Sequence, residues 1–406
     1  MNTNFRHLRV LTAVAQTGSI TRAAGMCHVS QPAVTQAIGK LERETRSELF
    51  QRTTQGLFLT PAGEALSTRV NRAFAILDPV LTELAPRLRV TATSAQLHAL
   101  VAMCEAENFT LAARRMGLAQ PTVHRAVSQL EQEAGRALFE RTAYGMIATR
   151  PALALAQAAQ LAFAELDQGE ADLADLSGRE VGRIVVGAMP LSRSYLLART
   201  VARFRERRPT LPIRVLDGPY HDLITGLRRG EVDFLIGALR DPAPIGDIEQ
   251  QMLFDDSLVM VARRDHPLMH SRPLRLKALA RYPHVVATGG TPTRQYFDRL
   301  FAEFGDGAPA SIVETGSMIL MRELLRVSDH IGCISRLQVT AEIDSGFITE
   351  LPLELDGSSR PIGLTVRAGW VPTRAQAEFL EDLRTIATVS PSSPIAKTYA
   401  TSCRSE

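Results

Sequence analysis

The chain has only four cysteines in 406 residues, Cys27, Cys104, Cys333 and Cys403, and no two of them stand as CxxC. That spacing argues against a metal site or a redox pair and suits a reducing cytosol. No uninterrupted apolar run reaches membrane length, and the opening MNTNFRHLRV lacks the pattern of a signal peptide. A cytoplasmic location and no membrane partner are therefore expected. Nine histidines include no HxH or HExxH grouping, and there is no GxSxG, no GxxxxGK[ST] and no GxGxxG opening a helix. GTPT and TGGT are short Gly/Thr turns. With no nucleophile, base or metal cluster recognisable, no enzyme activity, metal or cofactor is expected. Length, 45% apolar content and a net charge of +3 predict about two to four domains.

What the chain does have is a stretch written twice. Leu8–Leu66 aligns without a gap on Leu97–Leu155 at a constant offset of 89, with roughly a third of the pairs identical. The identities include Thr21/Thr110, Ala23/Ala112, Ala24/Ala113, Gln31/Gln120, Pro32/Pro121, Glu42/Glu131, Arg52/Arg141 and Thr60/Thr149. Two copies are too few for a solenoid, so each is expected to be a small domain.

Each copy carries the signals of a helix-turn-helix. In the first, Leu8, Leu11 and Val14 form the apolar stripe of one helix. Thr21, or Ser19 just before it, is a good N-cap for a short second helix whose Ala23 and Ala24 allow close approach. Ser30 caps a third helix with Pro32 in its first turn. Val34, Ile38 and Leu41 form that helix's buried face and leave Gln31, Thr35, Gln36 and Lys40 outside. Outward amide and hydroxyl groups at the start of such a helix are what reading the major groove requires. LFQRTTQGLFLT, with its central Gly56, reads as a two-stranded wing, where Arg52 could contact phosphate or enter a minor groove. An ordinary three-helix packing unit is the alternative for such a pattern alone.

SQPAVTQAIGKLE, followed by LFQR and LTPAG, resembles the winged helix of the LysR-type transcriptional regulators. The resemblance implies Gln31, Pro32, Thr35 and Gln36 in the DNA groove and Arg52 in the wing. Gln55 stands where the family often has a second wing arginine. The second copy keeps a polar face in Gln120, Pro121, Thr122, His124, Arg125 and Gln129, with Arg141 in the wing, but Thr149-Arg150-Pro151-Ala152 replaces the motif after it. Residues 1–63 carry seven Lys/Arg against three Asp/Glu, a balance of +4; residues 97–155 carry six against five, or +1. Because phosphate neutralisation dominates DNA affinity, the first copy is the better DNA binder, and the second assists or only packs.

Both copies run into a long amphipathic helix. Leu66, Val70, Phe74, Leu77, Leu81 and Leu84 correspond to Leu155, Ala159, Phe163, Leu166, Glu170 and Leu173, a spacing that makes a seam for another helix. In LysR-type proteins the corresponding helix builds the dimer. Here both seams lie in one chain, so they can pack antiparallel on each other; packing of each on its own domain is the alternative.

After Ser177-Gly178 short strands and helices alternate: GRIVVGA, IRVLDG, DFLIGAL, LVMVAR, HVVATGG, SIVETG, HIGCIS and GLTVRA as strands, with LSRSYLLARTVARFRERRP, HDLITGLRRGEV, RQYFDRLFAEF, MILMRELLRV and TRAQAEFLEDLRTIA as helices. Such alternation predicts parallel sheets flanked by helices in two α/β lobes. The region resembles the periplasmic-binding-protein-like effector domain of the same family, most of all the sub-group that answers to sugars and aromatic acids. A ligand then lies between the lobes at strand ends and helix N-termini. Candidates are Met189, Ser192 and Arg193; Gly237 and Leu239; Thr288, Gly289, Thr291 and Thr293; and Thr315 and Ser317. All of them equally suit turns and caps, and Arg193 is either a carboxylate partner or a surface arginine.

The fold expected is a multi-domain α/β chain. It has winged helix-turn-helix domains at 1–62 and 92–151, linker helices at 63–88 and 152–177, a two-lobed effector domain at 181–388 and a disordered tail at 389–406. The function expected is ligand-responsive transcriptional regulation. Its DNA contacts are Ser19, Thr21, Ser30, Gln31, Pro32, Thr35, Gln36, Lys40, Arg52, Gln120, Thr122, His124, Arg125 and Arg141. Its partners are double-stranded DNA, a small-molecule effector (a sugar or an aromatic or other organic acid), further copies of itself as dimer or tetramer, and RNA polymerase as a candidate. A small-molecule-binding protein whose second winged helix serves assembly is the alternative. An architectural DNA-bending protein leaves over half the chain unexplained.

Overall fold

The computed structural model describes residues 4–54, 56–143, 145–240, 246–302, 309 and 311–388. Gln55 and the expected tail at 389–406 lie outside the described residues. The chain divides into two compact units, with the main break between Arg183 and Ile184.

The first unit holds two heads of identical element order. The first head is α1 (Phe5–Thr17), α2 (Ile20–Cys27), α3 (Gln31–Thr45) and the hairpin β1 (Phe50–Thr53) with β2 (Gly56–Leu59). Next come the 24-residue helix α4 (Pro61–Leu84) and the short α5 (Leu88–Thr91). The second head is α6 (Ser94–Ala106), α7 (Phe109–Met116), α8 (Gln120–Ala134) and the hairpin β3 (Phe139–Thr142) with β4 (Gly145–Ala148), continued by α9 (Arg150–Leu176). Leu8, Leu11, Val14, Val34 and Leu41 are fully buried in the first core, as the stripe predicts, whereas Ala37 takes more of the buried face than Ile38. Two of the shared identities have matching mechanical roles. Glu42 accepts from the Leu49 N–H at 3.0 Å and Glu131 from the Leu138 N–H at 2.8 Å, tying the end of each third helix to the start of its wing. Thr60 and Thr149 cap α4 and α9, so replacing Pro61-Ala62-Gly63 by Arg150-Pro151-Ala152 leaves the capping unchanged.

The two long helices pack on each other within the chain. Leu66 lies against Gly169, Arg69 bonds Glu165, Gln168 and Asp172, and Arg72 bonds Glu165. Ascending numbers on α4 meet descending numbers on α9, so the pair is antiparallel. Leu66, Val70, Phe74, Leu77, Leu81 and Leu84 are all buried, as are Leu155, Ala159, Leu166 and Leu173. Each large apolar side chain so buried contributes about 1.5–3 kcal/mol. Phe5 from α1 lies 6.0 Å from the Phe74 ring and 6.1 Å from the Phe163 ring. Arg9 stands over Phe74 and pairs with Asp78 at 2.6 Å, which fixes α1 of the first head to the seam. The linker helix expected at 63–88 ends instead at Leu84, before Pro86, and Leu88–Thr91 is a separate turn.

The second unit is built on two five-stranded sheets. One has the order β6-β5-β7-β14-β8, with β5 (Ile184–Ala188), β6 (Ile213–Leu216), β7 (Phe234–Ala238), β8 (Ile248–Asp256) and β14 (Arg360–Arg367). The other has the order β11-β10-β12-β9-β13, with β9 (Leu258–Ala262), β10 (His284–Val286), β11 (Ile312–Glu314), β12 (Ile331–Ser335) and β13 (Thr349–Glu350). Helices α10 (Pro190–Arg193), α11 (Leu196–Arg207), α12 (Tyr220–Arg228), α13 (Leu276–Leu279), α14 (Pro292–Ala302), α15 (Met318–Val327), α16 (Arg336–Asp344) and α17 (Arg374–Thr388) complete it. Both sheets are mixed rather than parallel: β14 pairs antiparallel with β7 and β8, and β9 antiparallel with β12 and β13. The nine-residue β8 and the helix α16 were not expected, and the single helix expected over 191–209 is two, broken at Tyr195.

His284 on β10 is fully buried, its Nδ1 2.9 Å from the Tyr282 carbonyl oxygen, and burial lowers its pKa from 6.5 to about 4. Between those values the unfolded chain binds the proton that the folded chain refuses, so stability falls as pH drops through the window. Urea denaturation from pH 7 to pH 4 is expected to show a loss of roughly 2–4 kcal/mol from this group, reduced in His284→Gln. A second prediction concerns the seam. Phe74→Asp combined with Leu77→Asp is expected to lower the melting transition of the first unit and leave that of the second within error by calorimetry.

Candidate functional site

The reading helix of the first head is fixed by its caps. Ser19, not Thr21, caps α2, its Oγ accepting from the Arg22 N–H at 3.4 Å. Ser30 caps α3, accepting from the Ala33 N–H at 3.4 Å, with Pro32 in the first turn. Gln31, Pro32, Thr35, Gln36 and Lys40 are all exposed. The Thr35 hydroxyl donates to the Gln31 carbonyl, and Lys40 pairs loosely with Glu44 at 3.8 Å. The wing docks on the end of α1, where the Leu57 N–H donates to the Gly18 carbonyl at 3.0 Å. Gly56 has φ +139°, and a Cβ there would lie 2.8 Å from the Gly18 oxygen, so this contact requires glycine. An open concavity results, lined by Ser19, Thr21, Gln31, Pro32, Thr35, Gln36 and Arg52 among others. Seven of the nine DNA-contact candidates of the first head thus share one face. Ser30 and Lys40 lie outside that lining.

The second head has the same skeleton and a different face. Ala119 stands at the cap position of α8 and supplies no side-chain bond, and the His124 ring lies 5.0 Å from the Phe109 ring. Gln120, Thr122, His124, Arg125 and Arg141 are exposed. The Met146 N–H reaches the Glu107 carbonyl at 3.3 Å, repeating the wing contact.

In the second unit a cavity of about 100 Å³ lies between the two sheets. Met189, Thr288, Thr291, Thr293, Thr315 and Ser317 of the expected residues line it. Ser317 caps α15, Thr291 donates to the Thr288 carbonyl and accepts from the Arg294 N–H, and Thr315 accepts from the Ser317 N–H. Ser192, Arg193, Gly237, Leu239 and Gly289 do not line it. Ser192 is buried with its hydroxyl on the Met189 carbonyl at 2.8 Å, and Arg193 pairs with Asp217 at 2.7 Å on the surface. The side chain of Met189 packs on Gly237, the Leu239 N–H bonds the Pro361 carbonyl, and the Gly289 N–H bonds Glu314.

Sequence reasoning missed Arg360, Gln338 and Cys333, which line it together with the apolar Leu191, Ala238, Met321 and Ile334 among others. Arg360 is the consequential one. Its Nη1 donates to the Thr293 hydroxyl at 2.7 Å, and its buried Nε has no hydrogen-bond partner. Burial lowers its pKa, opposed by the charge of Asp256. Buried thiol Cys333 is pushed up to about 12 by desolvation and is no nucleophile at neutral pH. Among the described residues no group of three or more His, Cys, Asp or Glu side chains could hold a metal, and no helix is long and apolar enough to cross a membrane.

Two family models match the chain. The model described as LysR substrate binding domain matches residues 177–387, and that described as bacterial regulatory helix-turn-helix protein, lysR family, matches residues 5–64 and again 94–153. The HTH-type transcriptional regulator GalR of Pseudomonas putida is 35% identical over 393 residues, 95% of this chain and 98% of its own length. The HTH-type transcriptional regulator CbbR of Xanthobacter flavus is 30% identical over 283 residues, 69% of this chain and 82% of its own. Full-length OxyR from Pseudomonas aeruginosa superposes with a TM-score of 0.52 at 21% identity, covering 74% of this chain and 96% of that one, a likeness of fold. The chain belongs to the LysR family of DNA-binding transcriptional regulators with an effector-binding domain.

Proposed function

We propose that this regulator reads its operator chiefly with the first head and answers to an organic acid bound between the lobes of the second unit. The two heads, with domain limits near 1–62 and 92–151, are an internal duplication, a reading carried by the ungapped 89-residue offset and the twofold match of the helix-turn-helix model. Gln31, Thr35 and Gln36 supply amide and hydroxyl groups to base edges, Pro32 holds the start of α3, and Ser19, Thr21, Ser30, Lys40 and Arg52 contact the sugar–phosphate backbone. In the second head Gln120, Thr122, His124, Arg125 and Arg141 assist. Its uncapped reading helix and balance of +1 against +4 favour this subordinate role.

The observation that carries the effector reading is Arg360, among the described residues the one charged side chain on a cavity lined mainly by apolar side chains and by threonine and serine hydroxyls, with a buried Nε lacking a partner. A carboxylate supplies that partner, and the apolar walls suit an aromatic or aliphatic body better than a sugar. Thr288, Thr291, Thr293, Thr315 and Ser317 orient it. Oligomers form through the second unit, where Ile312, Ile319, Leu320 and Val327 leave an apolar row exposed around edge strand β11 and helix α15. The protein works in the cytoplasm, with RNA polymerase as a further partner.

Gln31→Ala and Thr35→Ala are expected to cost about 1–3 kcal/mol per lost base contact in a titration with operator DNA at fixed salt, and Thr122→Ala and Arg125→Ala less. Equal losses from the two pairs contradict the division of labour. Arg360→Gln is expected to raise at least tenfold the concentration of the activating acid needed for a transcriptional response. DNA affinity without effector should be unchanged. A panel of aromatic and aliphatic acids beside neutral sugars decides the class: a sugar response unaffected by Arg360→Gln overturns the acid reading.

A further inference from the structure

The seam between α4 and α9 is coded by charge and shape, and the code is one-sided. Both cations stand on α4 and both anions on α9. Arg69 is buried, with Nε 2.8 Å from Asp172, and its Nη1 lies 3.2 Å from Glu165 and 2.7 Å from Oε1 of the Gln168 side chain. Arg72 grips Glu165 with two bonds, at 2.9 and 3.1 Å. The side chains of Arg69 and Glu165 are 4% and 7% exposed, so each depends on the other helix for its neutralisation.

The helices descend from matching positions of the two repeats, so a homotypic pair in the same antiparallel register can be built from the sequence. At the offset of 89, Glu165, Gln168 and Asp172 correspond to Ile76, Pro79 and Glu83 of α4, and Arg69 and Arg72 correspond to Ala158 and Leu161 of α9. In an α4–α4 pair Arg72 would face Ile76, and Arg69 would keep only Glu83. In an α9–α9 pair Glu165 would be buried with no cation. Shape points the same way. Gly169 gives the stem of Arg69 its room: a Cβ there would lie 3.1 Å from the Arg69 Cβ and 3.3 Å from its Cγ. The counterpart of Gly169 on α4 is Val80, whose branched side chain would fill that space in an α4–α4 pair.

We infer that Arg69, Arg72, Glu165, Gln168, Gly169 and Asp172 form a partner-selecting lock that makes α4 pair with α9 and excludes pairing of α4 with α4 of a second copy. The selection acts against an alternative that the apolar stripes alone would permit, since Leu66, Val70, Phe74, Leu77, Leu81 and Leu84 form a seam as suited to a copy of themselves as to α9. Against α9–α9 the discrimination comes from Glu165 buried with no cation; against α4–α4 it comes from Val80 in the space of the Arg69 stem and from the loss of the Glu165 and Gln168 bonds, which leaves the buried guanidinium with Glu83 alone.

Two arms on the full chain test the lock. Arg69→Glu with Arg72→Glu gathers like charges in the seam and is expected to lower the Tm of the first unit by roughly 10 °C. Adding Glu165→Arg and Asp172→Arg reverses the sign of the whole cluster and should recover most of that loss. A swapped chain no more stable than the half-swapped one overturns the charge code. In the second arm, Arg69→Met, Arg72→Met, Glu165→Leu and Asp172→Leu make the seam apolar throughout. This chain is expected to fold with a Tm near or above the parent's and to gain species of higher chain number than the parent in sedimentation at equal concentration. A folded apolar variant with the parent's stoichiometry overturns the claim of partner selection; a variant that unfolds shows the ion pairs to be needed for the fold itself and overturns it equally.

Discussion

Burying Arg69 between two helices imposes the constraint on which the first unit depends. A guanidinium with 4% of its side chain exposed needs its carboxylates in place, and those carboxylates lie 96 and 103 residues away on α9. Their meeting fixes the register of α4 against α9, and through it the mutual placement of the heads, because each head grows directly from the start of one of these helices. Phe5, wedged against Phe74 and Phe163, and Arg9, paired with Asp78, carry that register into α1. A small winged helix has little core of its own; here the seam supplies it, so the two heads and two long helices share one apolar interior.

The heads then differ by what they present. Side-chain caps on the first two helices, the carboxylate tie from third helix to wing, and the wing's contact with the end of the first helix recur in both, so the skeleton is kept between the halves while the surface is not. Ser30 against Ala119, Thr35 against His124 and Gln36 against Arg125 change hydrogen-bonding chemistry without touching the core. That separation lets one fold carry two different exposed surfaces. In the second unit the cavity works by a similar economy. Backbone ends and hydroxyls of α14 and α15 shape it, and one guanidinium supplies the charge.

Much of this was legible in the sequence, for physical reasons. Val34 and Leu41 inside with Gln31, Thr35 and Gln36 outside follow from helical periodicity, Ser30 is of a type that caps a helix, and Gly56 marks a place where the backbone demands glycine. The threonines of the cavity were legible because strand-to-helix turns announce themselves. Arg360 was not: it stands between the Asp356-Gly357 turn and the GLTVRA run, and reaches the cavity only because β14 is inserted between β7 and β8. Strand β8 was hidden because IEQQMLFDD lacks a clean alternation, and the mixed sheets because antiparallel insertion is a long-range pairing that no local pattern records. The partners of Arg69 were out of reach for the same reason, although the seam itself could be read from the spacing of its leucines.

The account rests most on the pairing of α4 and α9 within one chain, and one measurement addresses that directly. One cysteine is placed on α4 and one on α9, at exposed positions flanking the seam and outside the six residues of the lock, in a chain whose other cysteines are replaced. Isotopically heavy and light chains are mixed, refolded together and bridged by a short bismaleimide. Mass spectrometry of the bridged peptides then reports which chains were joined. The account predicts bridges between peptides of one isotopic kind at every concentration. Heavy–light bridges at the statistical ratio would mean that the seam joins different chains, and would contradict it.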